Sequence, residues 1–90
     1  MARLFDPIKL GSLELSNRII IAPMCQYSAK DGCMNDWHFT HVNSLALSGA
    51  GLFIVEATGV SPEGRISPGW PGLYEDATAA AMGRVLQAAR

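Results

Sequence analysis

Apolar and polar positions alternate twice near the start of the chain, at Ile8-Lys9-Leu10 and Leu13-Glu14-Leu15, with Gly11-Ser12 between them. Period-two alternation around a two-residue glycine-containing connection predicts a β-hairpin. Residues 18–22 then form a short β-branched apolar run stopped by Pro23, the pattern of a strand buried on both faces. Beyond it the period lengthens. Asn35 or Asp36 can cap a helix reaching about Ser48, with His38, His41, Val42, Leu45 and Ala46 on one face. Gly49-Ala50-Gly51 ends that helix, and residues 52–57 read as a second buried strand. A loop rich in proline and glycine covers residues 58–75, and Asp76 then caps an alanine-rich helix running to Arg90.

The order is hairpin, strand, helix, strand, helix: two βα units, which predicts parallel strands joined by right-handed crossovers. The connections are unequal. Both βα loops are long, residues 23–35 and 58–75, whereas the αβ connection is about three residues. A (β/α)8 TIM barrel has that asymmetry, because its active site is built from the loops at the carboxyl ends of the strands. Such a barrel takes about 250 residues, so 90 residues amount to its amino-terminal hairpin and first two βα units. Residues 1–90 are therefore expected to be the amino-terminal part of a single α/β barrel domain.

Charge narrows the classes of partner. Seven basic and eight acidic side chains leave a formal net charge of −1, so no broad positive field draws in a polyanion, and neither nucleic acid nor an acidic membrane is expected as a partner. The longest apolar run, residues 19–25, is far short of the ~20 residues of a membrane span. No apolar signal core follows Arg3, and two cysteines are too few for a disulfide scaffold, so a reduced, cytoplasmic setting is expected.

Most motif readings fail on context. Gly49-Ala50-Gly51 precedes a strand and lacks the third glycine of a dinucleotide fingerprint, and there is no Walker loop or nucleophile elbow. Cys25, Cys33, His38 and His41 resemble a zinc set in composition. The cysteines are eight apart and the histidines three apart, which is not the usual ligand spacing, and no metal site is assigned. The informative stretches sit at the two strand ends. Ala22-Pro23-Met24-Cys25-Gln26-Tyr27 turns the chain at the sheet's carboxyl edge and presents a soft sulfur pair, an amide and a phenol. Glu56-Ala57-Thr58 occupies the equivalent end of the second strand, with Arg65 available to pair with Glu56 and with Ala57 small enough for a flat ligand to approach the backbone.

Taken in order, Leu4-Phe5-Asp6-Pro7, Leu15-Ser16-Asn17-Arg18-Ile19, Ala22-Pro23-Met24-Cys25-Gln26-Tyr27, Asp36-Trp37-His38 with His41, Gly51-Leu52-Phe53-Ile54-Val55-Glu56-Ala57-Thr58 and Pro62-Glu63-Gly64-Arg65-Ile66 resemble the start of the Old Yellow Enzyme family. The Pro-Met-Cys-x-Tyr stretch resembles its bacterial ene-reductase branch. The resemblance implies a TIM barrel that binds FMN at the strand carboxyl ends and reduces activated C=C bonds of enone-type substrates with NADPH or NADH. It implies FMN against Ala22, Pro23, Met24, Cys25 and Ala57, with Cys25 adjusting the flavin and Tyr27 donating toward the substrate carbonyl. The family's remaining substrate, flavin and phosphate groups lie in later parts of the barrel, which implies a carboxyl-terminal portion or a complementary chain. The alternative from a different class is a non-catalytic barrel fragment whose open strand edges make it an assembly module.

Overall fold

A computed structural model describes residues 3–90. The hairpin forms where alternation predicts it: β1 (Ile8–Leu10) pairs antiparallel with β2 (Leu13–Leu15), Ile8 opposite Leu15 and Leu10 opposite Leu13. Gly11 turns the chain with φ 60°, a conformation that glycine adopts without steric cost. Leu15 is the hairpin's buried anchor.

β3 (Ile20–Ile21) and β4 (Leu52–Phe53) are adjacent and parallel, with Ile20 beside Leu52 and Ile21 beside Phe53. The helix between them, α1 (Asp36–Ala46), supplies the crossover, and α2 (Asp76–Ala89) follows β4. Both strands are shorter than residues 18–22 and 52–57, and they are not buried on both faces. Ile20 is 48% exposed and Ile54 42%. The reason is the side-chain period of two. Phe53 and Val55 turn to the helices, whereas Ile20 and Ile54 lie on the opposite face, which is left largely uncovered among the described residues.

The core lies between the helices and the sheet: Met34, Val42, Met82 and Val85 are buried, with Phe39, Phe53, Val55 and Leu86 packed around them. α1 is capped by Asn35, whose side chain accepts from the Trp37 amide at 3.0 Å, while His38 Nδ1 accepts from the Asn35 amide at 3.1 Å. That reciprocal pair satisfies two orphan donors of the first turn. For α2 the cap expected at Asp76 moves back one residue to Glu75, which has extended backbone (φ −154°, ψ 171°). Fully buried Thr78 decides this, accepting the amides of Tyr74 and Glu75 at 3.2 and 3.1 Å.

The amino ends of the two parallel strands are stapled by Asn17. Its Nδ2 donates to the Gly49 carbonyl at 2.7 Å, and its Oδ1 accepts from Ile19 and Gly51 at 3.0 and 2.8 Å. A β-carbon on Gly51 would come within 2.5 Å of the Asn17 carbonyl oxygen. Gly51 therefore serves close approach, whereas α1 itself ends earlier, at its C-cap Leu47.

Candidate active site

Because β3 and β4 run parallel, the residues following each strand emerge at one edge. Ile54 continues the pairing by donating to the Ile21 carbonyl at 3.1 Å, after which the chains diverge into the two long loops. Ala22, Pro23 and Met24 are exposed at that edge, and Cys25 and Ala57 are half-buried. The fold thus brings the expected flavin-side residues to the same end of the sheet.

The first loop is held by a succession of hydrogen bonds. The Gln26 amide donates to Glu56 Oε1 at 3.4 Å, Gln26 Nε2 donates to the Met24 carbonyl at 2.9 Å, and Trp37 Nε1 donates to Gln26 Oε1 at 3.0 Å. Further on, the Ser28 hydroxyl donates to the Gln26 carbonyl at 2.9 Å, and Asn35 Nδ2 donates to the Ser28 carbonyl at 2.7 Å. The capping residue of α1 therefore also latches the loop.

Tyr27 follows with φ 53°, left-handed backbone that a bulky L-residue rarely adopts. Its side chain is 66% exposed, free to reach a ligand above the edge. The second loop supports it from the other side. Gly69 lies so close that a β-carbon there would meet the Tyr27 carbonyl carbon at 2.7 Å and its Cα at 2.8 Å, and the Gly69 carbonyl accepts from Ala29 at 3.0 Å. The Gly72 amide donates to the Gly32 carbonyl at 2.8 Å, joining the loops a second time.

Glu56 does not pair with Arg65. Arg65 donates through Nε to the Pro62 carbonyl at 3.2 Å and places its guanidinium 5.9 Å from the centre of the Tyr74 ring. The carboxylate turns inward instead, with Oε2 3.8 Å from His38 Nε2. His38 is fully buried and Glu56 nearly so. Burial raises the Glu56 carboxyl above the ordinary range, against the lowering influence of the Gln26 amide. Burial, aided by the charge of His41, lowers the His38 imidazole. Both neutral forms are favoured, as desolvation requires.

His41 stacks on Trp37, centroids 6.4 Å apart and planes 8° from parallel. Cys25 and Cys33 are free thiols, and among the described residues no three of the histidine, cysteine and acidic side chains gather as metal ligands. Nor is any helix among the described residues long and apolar enough to cross a membrane. The sequence contains no signal for Gly69 as a support for Tyr27. Glu56 was visible at its strand end, but its partner was not.

The sequence profile of the NADH:flavin oxidoreductase / NADH oxidase family matches residues 3–90. The chain belongs to that family. It is 46% identical over 88 residues to an NADPH dehydrogenase of Listeria monocytogenes, covering 96% of this chain and 26% of that protein. It is 49% identical over 74 residues to an NADH:flavin oxidoreductase of Gibberella zeae, covering 82% of this chain and 18% of that one. Among solved structures, a morphinone reductase variant in complex with tetrahydroNAD superposes with a TM-score of 0.89 at 36% identity, covering 99% of this chain and 24% of the other. The Old Yellow Enzyme homologue of Zymomonas mobilis superposes with a TM-score of 0.85 at 35% identity, covering 98% and 24%.

The fold is therefore the amino-terminal part of the Old Yellow Enzyme TIM barrel, its hairpin and first two βα units, and the chain spans about a quarter of the length of these relatives. FMN and a nicotinamide nucleotide are the cofactors this family implies. The exposed edge suits a flat flavin. Ala22 and Ala57 present only methyl groups, and the amides of Met24 and Cys25 have no acceptor among the described residues, leaving donors for a heteroaromatic ring.

Proposed function

We propose that this chain forms one wall of the FMN site of an NAD(P)H-dependent ene-reductase acting on α,β-unsaturated carbonyl compounds. What supports the reading best is the convergence on one sheet edge of the Pro23-Met24-Cys25 turn, the half-buried Ala57 and the exposed Tyr27.

FMN, when bound, supplies the hydride-transfer chemistry, and the protein's part is to place and tune it. Ala22, Pro23, Met24, Cys25 and Ala57 hold it along the edge. The Cys25 thiol is a polarizable neighbour that adjusts the flavin without acting as a nucleophile. Tyr27 donates its hydroxyl to the substrate carbonyl oxygen, where negative charge accumulates as the β-carbon is reduced. The remaining walls come from the rest of the barrel or from a complementary chain.

The test uses the FMN-loaded enzyme that contains this segment, with 2-cyclohexenone and NADPH. Cys25→Ser is expected to shift the flavin reduction potential and the rate constants while turnover remains measurable. Tyr27→Phe should lower kcat by roughly 100- to 1,000-fold, the usual weight of one positioned donor to a developing oxyanion. Absence of FMN binding, or loss of all turnover in Cys25→Ser with FMN still bound, contradicts the reading.

A further inference from the structure

Gln26 stands between the two residues assigned to flavin and substrate, and it is held at three points. Its amide donates to Glu56 at the end of β4, its Nε2 to the Met24 carbonyl, and its Oε1 accepts from Trp37 in the first turn of α1. The support beneath is an unusual one. Glu56 is 7% exposed, and its carboxylate meets no arginine or lysine. Its inner oxygen faces His38 Nε2 at 3.8 Å, beyond hydrogen-bond range. His38 Nδ1 already accepts the Asn35 amide, and its buried Nε2 has no hydrogen-bond partner among the described residues. Burying a carboxylate for one long bond and one unbonded imidazole does not favour folding, and an apolar side chain of similar volume would fill the space at lower cost. The carboxylate is better explained by what it holds. Tyr27, the next residue but one to Cys25, has left-handed backbone, which persists only when its surroundings determine it from more than one side. Gly69 supplies one side. Gln26 supplies the other.

We propose that Gln26 is a positioning residue, clamped from below by Glu56 with His38 and from the side by Trp37, so that Cys25 and Tyr27 keep their places toward flavin and substrate. The proposal rests on the site reading above.

The experiment uses the same FMN-loaded enzyme. Gln26→Leu retains the amide bond to Glu56 and deletes both side-chain bonds. It is expected to raise KM for 2-cyclohexenone about tenfold, as the loss of one or two hydrogen bonds would, with a smaller effect on kcat. It should also move the flavin reduction potential, a readout that needs no turnover. In a Tyr27→Phe background, Gln26→Leu should change KM no further. Trp37→Phe, on an indole that is 55% exposed, should produce a smaller change in KM, and keeps the test open if Gln26→Leu loses its flavin. If Cys25→Ser and Tyr27→Phe are effective while Gln26→Leu and Trp37→Phe leave both readouts unmoved, the brace alone is overturned. Additivity of Gln26→Leu with Tyr27→Phe overturns it as well, because the residue then acts elsewhere. If Cys25→Ser and Tyr27→Phe move neither readout, the site reading fails and the brace with it.

Discussion

Tyr27 and Gly69 illustrate how one missing β-carbon governs another residue's position. The closest atoms to a β-carbon at Gly69 all belong to the Tyr27 backbone, which cannot swing aside as a flexible side chain could. Gly69→Ala is expected to cost about 1–3 kcal/mol, the usual range for overpacking, and to lower enone kcat/KM. Chemical denaturation and kinetics on the same variant check both. The buried pair makes a second expectation, in which the two partners oppose each other. His38 is lowered from 6.5, so its contribution to stability is complete above pH 6.5 and is lost as pH falls through the folded-state value. Glu56 is raised from 4.5, so its contribution is complete below pH 4.5 and is lost as pH rises through the folded-state value. Between these limits the slopes have opposite signs. Glu56→Gln should leave stability falling on acidification from pH 6.5, and His38→Gln should leave it rising toward pH 4.5. Urea titrations across that interval test the pair, and equal slopes in the two variants would contradict it.

The elements depend on polar staples as much as on apolar area, because each parallel strand is only two residues long. Asn17 makes three hydrogen bonds to the turn before β4 and to the entry of β3. At about 0.5–1.5 kcal/mol each, Asn17→Ala should destabilise the fold by about 1.5–4.5 kcal/mol. Gly51→Ala attacks the same contact from the other side, since its β-carbon would press on the Asn17 carbonyl. Residues sharing a contact do not act independently. The double variant should therefore cost clearly less than the sum of the singles, measured by denaturant midpoints, and strict additivity would refute the staple.

Two βα units leave much apolar surface uncovered. Ile20 and Ile54 stand exposed on the sheet face away from the helices. A groove of about 280 Å³ lined by Val42, Leu52, Phe53, Val55 and Leu86 opens beside β4. Unpaired strand edges of this kind favour association. A flavin on this edge would meet one wall and not the phosphate site that such barrels build from their last strands. A ninety-residue polypeptide of this sequence is accordingly expected to oxidise no NADPH with 2-cyclohexenone and added FMN, and to self-associate on size exclusion. Steady turnover by a verified monomer would overturn that expectation.

The hairpin, both helices, the strand order and the strand-end location of Cys25, Tyr27 and Ala57 were legible in the linear pattern. Each follows from period, caps and turn residues within a few positions of one another, and physics of that range is written locally. The partner of Glu56, the support under Tyr27 and the close approach of Gly51 to Asn17 were not. Their contacts join residues 18 to 42 positions apart, and several chemically suitable candidates existed for each. Arg65 was a reasonable partner for Glu56 by charge, yet the fold turned the carboxylate toward His38. Strand length was likewise decided in three dimensions, since a parallel strand extends only as far as it has neighbours to pair with, and among the described residues each has one.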